Sequence, residues 1–194
     1  MTDRIAEDWQ AAFMQTVRRY ENAISLKEAA MDERLGDWTT ELTAVVVATC
    51  NSVGWQASAI GHKLGMLPVS QFEYLGLDVM AFADGEKRWR YPVAVFELEN
   101  RMDDDRIAYS LWKVMCVRAD LRVVFCYRRS SDAGSALIRF LRDEVVHAMD
   151  LAARAKLEGE TLVVIGSRDD SATFPYGFFK WWKLDTNTGT FRLN

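Results

Sequence analysis

The sequence predicts an α/β protein with a mixed central sheet covered by helices on both faces. Short apolar runs at 92–100 (PVAVFELEN), 121–127 (LRVVFCY) and 161–166 (TLVVIG) are rich in β-branched and aromatic residues and read as buried strands. Stretches of helical periodicity separate them. The order is helices, then β-β-α-β-α-β, then a hairpin, which favours a layered mixed sheet.

The first element is a helix, because Ile5, Trp9, Phe13, Val17 and Tyr20 fall on one stripe. That stripe reads as a packing face. A second helix is expected from Asp37, a good N-cap, carrying Trp38, Leu42, Val45, Val46 and Thr49. Gly54, Gly61 and Gly65 then mark a loop or short helix reaching to Pro68. Residues 72–82 read as a strand, 84–91 as a turn, and 92–100 as the next strand. The charged break RMDDD leads into a helix from about Asp105 to Val117. After the strand at 121–127, Leu137, Ile138, Leu141, Val145, Met149 and Ala152 predict one long amphipathic helix. The strand at 161–166 and a hairpin turning at Asp185 to Gly189 complete the chain.

The chain has 194 residues, with 49% hydrophobic and 27% charged residues, which are globular proportions. A chain of this size buries ~70% of its unfolded surface, enough for one domain over 1–194. No run approaches the ~20 apolar residues of a membrane span. The opening MTDRIAEDWQ lacks the layout of a signal peptide, so a cytoplasmic protein is expected. Cys50, Cys116 and Cys126 are scattered in apolar runs and read as reduced core residues, not a disulfide frame or a zinc site. The formal charge of −4 excludes a generic polyanion binder. Contact with nucleic acid would need a local basic surface or metal ions that offset carboxylates.

The strand at 92–100 carries the chemistry. Its side chains alternate, so Glu97 and Glu99 share one face while Ala94, Phe96 and Leu98 share the other. Two carboxylates ~5 Å apart repel by ~3 kcal/mol at an effective dielectric of 20. Such a strand end calls for a cation. Asp78 lies in the preceding strand and can approach Glu97 if the two strands are neighbours. Hard oxygen ligands of this kind suit Mg²⁺ or Mn²⁺. A metal held there can lower the pKa of bound water and neutralise phosphate charge. Lys113, in the helix that follows, is placed to stabilise developing negative charge.

Asp78, the apolar strand with Glu97-x-Glu99, a helix bearing Lys113 and the strand LRVVFCY together resemble the core of the PD-(D/E)xK nuclease superfamily. The resemblance covers roughly residues 37 to 127. It implies a restriction-endonuclease-like three-layer αβα core over 37–168, after an N-terminal helical extension (1–36) and before a C-terminal aromatic hairpin (169–194). It also implies Mg²⁺-dependent hydrolysis of DNA. Asp78 would match the first acidic ligand and Glu97 the second, with the backbone carbonyl of Leu98 as a third. Glu41, in the helix before the first strand, resembles an auxiliary acidic residue of many members. Glu99 occupies the place of the motif lysine. Some members are similar in this, and others carry the lysine in the following helix, where Lys113 stands. Glu99 would then be a further ligand or would orient the water. No proline immediately precedes Asp78. The departure at Glu99 and the acidic composition support an alternative: a catalytically inactive member that works as a nucleic-acid-associated or oligomeric binding module.

Other residues add less. His62 and His147, the two histidines, have no zinc spacing and no phosphate-loop context. Arg128 and Arg129 leave a strand where a loop begins and are candidates for phosphate contact. A solvated rim balanced by Asp120, Asp132 and Asp143 is the plainer reading of that basic cluster. The tail interleaves Phe174, Tyr176, Phe178, Phe179, Trp181 and Trp182 with Lys180 and Lys183. Aromatics beside lysines can stack bases and hold phosphates. Packing on the core or a homodimer contact is the favoured reading.

Overall fold

The computed structural model describes residues 4–65 and 67–194, with the Tyr20 side chain left out. Helices α1 (Ile5–Val17), α2 (Tyr20–Met31) and α3 (Leu35–Ser52) precede an antiparallel meander of β1 (Trp55–Ala59), β2 (Val79–Ala83) and β3 (Ala94–Leu98). Helix α4 (Asp104–Met115) then crosses to β4 (Leu121–Arg128), which runs parallel to β3. Helix α5 (Ser131–Leu141) crosses to β5 (Glu160–Ser167), again parallel. Strands β6 (Phe179–Asp185) and β7 (Thr190–Leu193) form the closing hairpin. The seven strands make one mixed sheet in chain order.

Helices cover both faces, as the alternation within each strand requires. Ala94, Phe96, Leu98, Val123 and Phe125 point to one face, where Trp9 and Phe13 of α1, Leu26 of α2 and Trp38 of α3 pack on them. Val95, Val124, Val163 and Ile165 point to the other, under Ile107, Leu111 and Val114 of α4 and Leu137 and Leu141 of α5. Strand β4 is buried along its whole length, which is why its sequence reads as an unbroken apolar run. No helix among the described residues is long and apolar enough to cross a membrane.

Several expectations are corrected. Cys50 and Cys126 are buried as expected of core residues, but Cys116, the residue after α4, is exposed. The N-terminal stripe expected to run to Tyr20 ends at Val17, and a separate helix, α2, begins at Tyr20. The helix expected from Asp37 is α3 and begins at Leu35; Asp37 lies in its first turn and pairs with Arg34 instead of capping. Residues 55–59, expected as loop or short helix, form β1. The strand expected over 72–82 begins only at Val79, because a short 3₁₀ turn, Tyr74–Gly76, comes first. The single helix expected from Leu137 to Ala152 is three pieces. Helix α5 passes into a π-helical turn at Arg142–Val146, and α6 (Leu151–Ala155) starts afresh. Its start is fixed by the Asp150 carboxylate, which accepts from the Ala153 N–H at 2.7 Å.

A candidate carboxylate–lysine active site

Register builds the site. Strands β2 and β3 pair Val79 with Phe96 and Met80 with Val95. Continuing one step beyond the ladder sets Asp78 opposite Glu97. Both fall on the face that α4 covers, the face of Met80 and Val95. The Asp78 side chain secures this pairing, since its Oδ2 accepts from the Leu98 N–H at 2.6 Å.

Helix α4 brings the cation. Asp103 caps it by accepting from the Arg106 N–H at 2.9 Å, and Asp104 and Asp105 in its first turn suit the helix dipole. Ile107, Leu111 and Val114 bury against the sheet and fix the helix rotation. Lys113, one step from Val114, is turned to the rim of that buried stripe and reaches the strand end. Its Nζ lies 2.8 Å from Glu97 Oε1 and donates to the Gly76 carbonyl at 2.8 Å. That carbonyl is presented by two consecutive left-handed residues, Leu75 (φ 58°) and Gly76 (φ 66°). Glu97 Oε1 is buried without a hydrogen bond of good geometry, so the contact with the amine is ionic.

The electrostatics follow from burial. Glu97 is only 5% exposed, and its carboxyl is pushed up to about 7. Desolvation is the main cause, and the Asp78 charge adds to it, while Lys113 opposes both. Asp78 is also raised, first by desolvation and further by Glu99, against the Leu98 N–H and Lys113. Glu73 is raised too, by desolvation and by Asp78, with Lys113 opposing. Glu73 therefore belongs to the same electrostatic cluster. Sequence reasoning passed over it because a carboxylate in a loop carries no pattern.

Glu99 borders the pair, and the other named residues lie apart. Glu99 follows Glu97 on the same face, and its Oε1 accepts from the Arg101 N–H at 2.9 Å. Glu41 lines a hollow with Ser25, Glu28, Arg34, Asp37 and Thr40. The α3 side chain that meets the end of β3 is Thr39, whose Oγ1 accepts from Asn100 Nδ2 at 2.8 Å. Glu41 is two residues further, about 200° round the helix. Arg128 is turned inward, where its guanidinium pairs with Asp104 and donates to the Tyr127 carbonyl at 2.9 Å. Arg129 is exposed. Lys180 faces Asp170 at 3.4 Å, and Lys183 pairs with Glu160. In the tail, Phe178, Phe179 and Trp181 are buried.

Among the described residues, no three His, Cys, Asp or Glu side chains are gathered closely enough to form a metal cage. The donor set nevertheless fits Mg²⁺ or Mn²⁺ in one respect. Mg²⁺ usually keeps several waters and takes one or two carboxylates from the protein, and not a full cage. Here two desolvated carboxylates face a single ammonium, with Glu73 and Glu99 close by, so negative charge is in excess.

A scan against models of protein families, a search of curated proteins and a search of solved structures find no significant match to this chain.

Proposed function

We propose that the protein hydrolyses phosphodiester bonds of DNA with a divalent cation, Mg²⁺ or Mn²⁺, at Asp78 and Glu97. The observation that carries this reading is the convergence of Asp78, just before β2, with Glu97 of the neighbouring β3 and Lys113 of the next helix. The helix-flanked mixed sheet is compatible with the αβα core that the PD-(D/E)xK resemblance implies. Asp78 and Glu97 would hold the cation with the Leu98 carbonyl. The cation supplies a water of lowered pKa and neutralises phosphate charge. The Lys113 ammonium, at the mouth of the pair, stabilises negative charge that develops on the phosphoryl oxygens. Glu99 orients water from the same face of the strand. The unpaired cysteines fit a reducing compartment, and we place the protein in the cytoplasm.

The test is cleavage of single- and double-stranded DNA by purified protein with Mn²⁺ or Mg²⁺, beside Asp78→Ala. Cleavage by the wild type alone supports the reading. Intact DNA in both cases refutes it.

One observation favours a second reading, a non-catalytic binding module. Lys113 is already engaged by Glu97 and Gly76, and Glu99 stands where the motif lysine would be. Thermal melting separates the two. At 100 times Kd, Mn²⁺ bound to the folded state alone adds about 2.7 kcal/mol. For this chain length that raises Tm by roughly 5–10 °C, and Asp78→Asn should abolish the rise. A carboxylate pair closed by Lys113 alone gives no rise in either protein.

A further inference from the structure

Of the tail aromatics that the sequence marked for base stacking, Tyr176 is 60% exposed, but the rings at the centre of the hairpin are not. Phe178, Phe179 and Trp181 of the tail are 4% exposed or less. Two rings on α4 stand in water side by side. Tyr109 and Trp112 are each 55% exposed, with centroids 5.9 Å apart and planes 24° apart. Their spacing of three residues makes them neighbours on one helical face. The Lys113 ammonium lies 5.8 Å from the Tyr109 centroid and 2.8 Å from Glu97 Oε1. The ring pair and the carboxylate site therefore share a side chain.

Helix α4 does not need these rings for its own packing, because Ile107, Leu111, Val114 and Met115 already bury its inner face. Large aromatic surface left in water beside a polar site marks a place of contact. Arg106, exposed three residues before Tyr109, adds a second cation to the same face. Cations interleaved with accessible rings suit a ligand that alternates anionic and flat aromatic parts, and a nucleic-acid strand is such a ligand.

We propose that Tyr109 and Trp112 form a stacking platform for an unpaired nucleobase next to the phosphate at Asp78 and Glu97. The substrate is then single-stranded or locally unpaired nucleic acid. The position of that phosphate rests on the phosphodiesterase reading; the platform itself rests on the rings. In an intact duplex each base is enclosed by its neighbours and must leave the stack before an aromatic side chain can take its face.

The experiment is fluorescence anisotropy in EDTA, so that binding is read without cleavage. The probes are labelled oligo(dT), an abasic strand of the same length, and a duplex. Wild type should bind oligo(dT) more tightly than either other probe. Trp112→Ala and Tyr109→Ala should bind oligo(dT) about 5- to 150-fold more weakly, the range that loss of one base–aromatic stack gives. Trp112→Phe should retain most of the affinity. Both rings are more than half exposed, and melting curves check that the alanine variants are folded. Equal binding of abasic strand and oligo(dT) overturns the platform, as does Trp112→Ala binding like wild type. So does a wild-type dimer that Trp112→Ala converts to monomer, because a second copy would then cover the rings. An oligo(dT) preference without any Mn²⁺-dependent cleavage keeps the platform and sinks the nuclease. Cleavage that is indifferent to Trp112→Ala and to strandedness keeps the nuclease and sinks the platform.

Discussion

Lys113 and Glu97 form a 2.8 Å ion pair whose side chains are 22% and 6% exposed. The lysine comes from α4 and the glutamate from β3, so the pair pins a helix to the sheet at the candidate site. A pair this buried is worth little in net terms, yet breaking it on one side strands a charge.

Lys113→Met is therefore expected to destabilise the fold in a pH-dependent way. At pH 8 Glu97 is ionised in the wild type and would lose the Lys113 cation, a loss of about 1–3 kcal/mol. At pH 5 Glu97 is already protonated and the loss should be much smaller. Urea denaturation of both proteins at the two pH values checks this. Equal losses at both would mean that Glu97 does not titrate between them.

Glu97 also sets a direction for wild-type stability in EDTA. Its folded value of about 7 lies above the 4.5 of the unfolded chain. Between those values the folded state binds more protons, so stability falls as pH rises. The contribution is complete below about pH 4.5 and lost as pH climbs through 7. Asp78 and Glu73, also raised, act with the same sign. Glu97→Gln removes this dependence at one position. The stability difference between wild type and Glu97→Gln should therefore shift against the wild type by up to about 3 kcal/mol across that window. A difference that stays constant with pH would show that the folded state leaves Glu97 unperturbed.

The strands that hold the site were legible because burial on both faces leaves an apolar run with polar residues only at its end. Glu97 was visible for that reason. β1 was not, since WQASA is short, weakly apolar and flanked by glycines, and its identity comes from pairing with β2. The break after α5 was hidden because Val145 and Val146 remain buried, so the apolar stripe continues while the backbone changes its turn. Glu41 and Arg128 show a different limit. Helix position alone does not fix rotation about the axis, and a strand-end arginine reads the same whether it meets water or Asp104. Glu73, in a loop beside Asp78, has no periodicity to reveal it.

Arg128 is expected to matter for stability and not for nucleic-acid contact. Its side chain is 8% exposed and pairs with Asp104 at the start of α4. Arg128→Ala removes that pair, the bond to the Tyr127 carbonyl and the packing of a long aliphatic stem, at a cost of roughly 1–3 kcal/mol. Arg129→Ala, at an exposed position, should leave the denaturation midpoint unchanged. The pair of variants, read by urea denaturation and by DNA binding, separates the two arginines. Weaker DNA binding by Arg128→Ala at unchanged stability would reverse their roles.

The N-terminal helix should be indispensable to the sheet that carries the site. Phe13 is fully buried, with ring centroids 5.2 Å from Phe125, 5.2 Å from Phe179 and 5.4 Å from Trp181. Those partners lie on β4 and β6, so one side chain of α1 bridges the parallel core and the closing hairpin. Phe13→Ala opens a cavity that a sheet held on both sides cannot collapse to fill, and about 3–5 kcal/mol is the expected loss. Tyr176→Ala removes a ring that is 60% exposed and should change stability by less than about 0.5 kcal/mol. The two urea midpoints compare a tail aromatic in water with a helix aromatic in the core. A Phe13→Ala loss as small as that of Tyr176→Ala would mean that α1 is not part of the cooperative unit holding β3 and β4 in place.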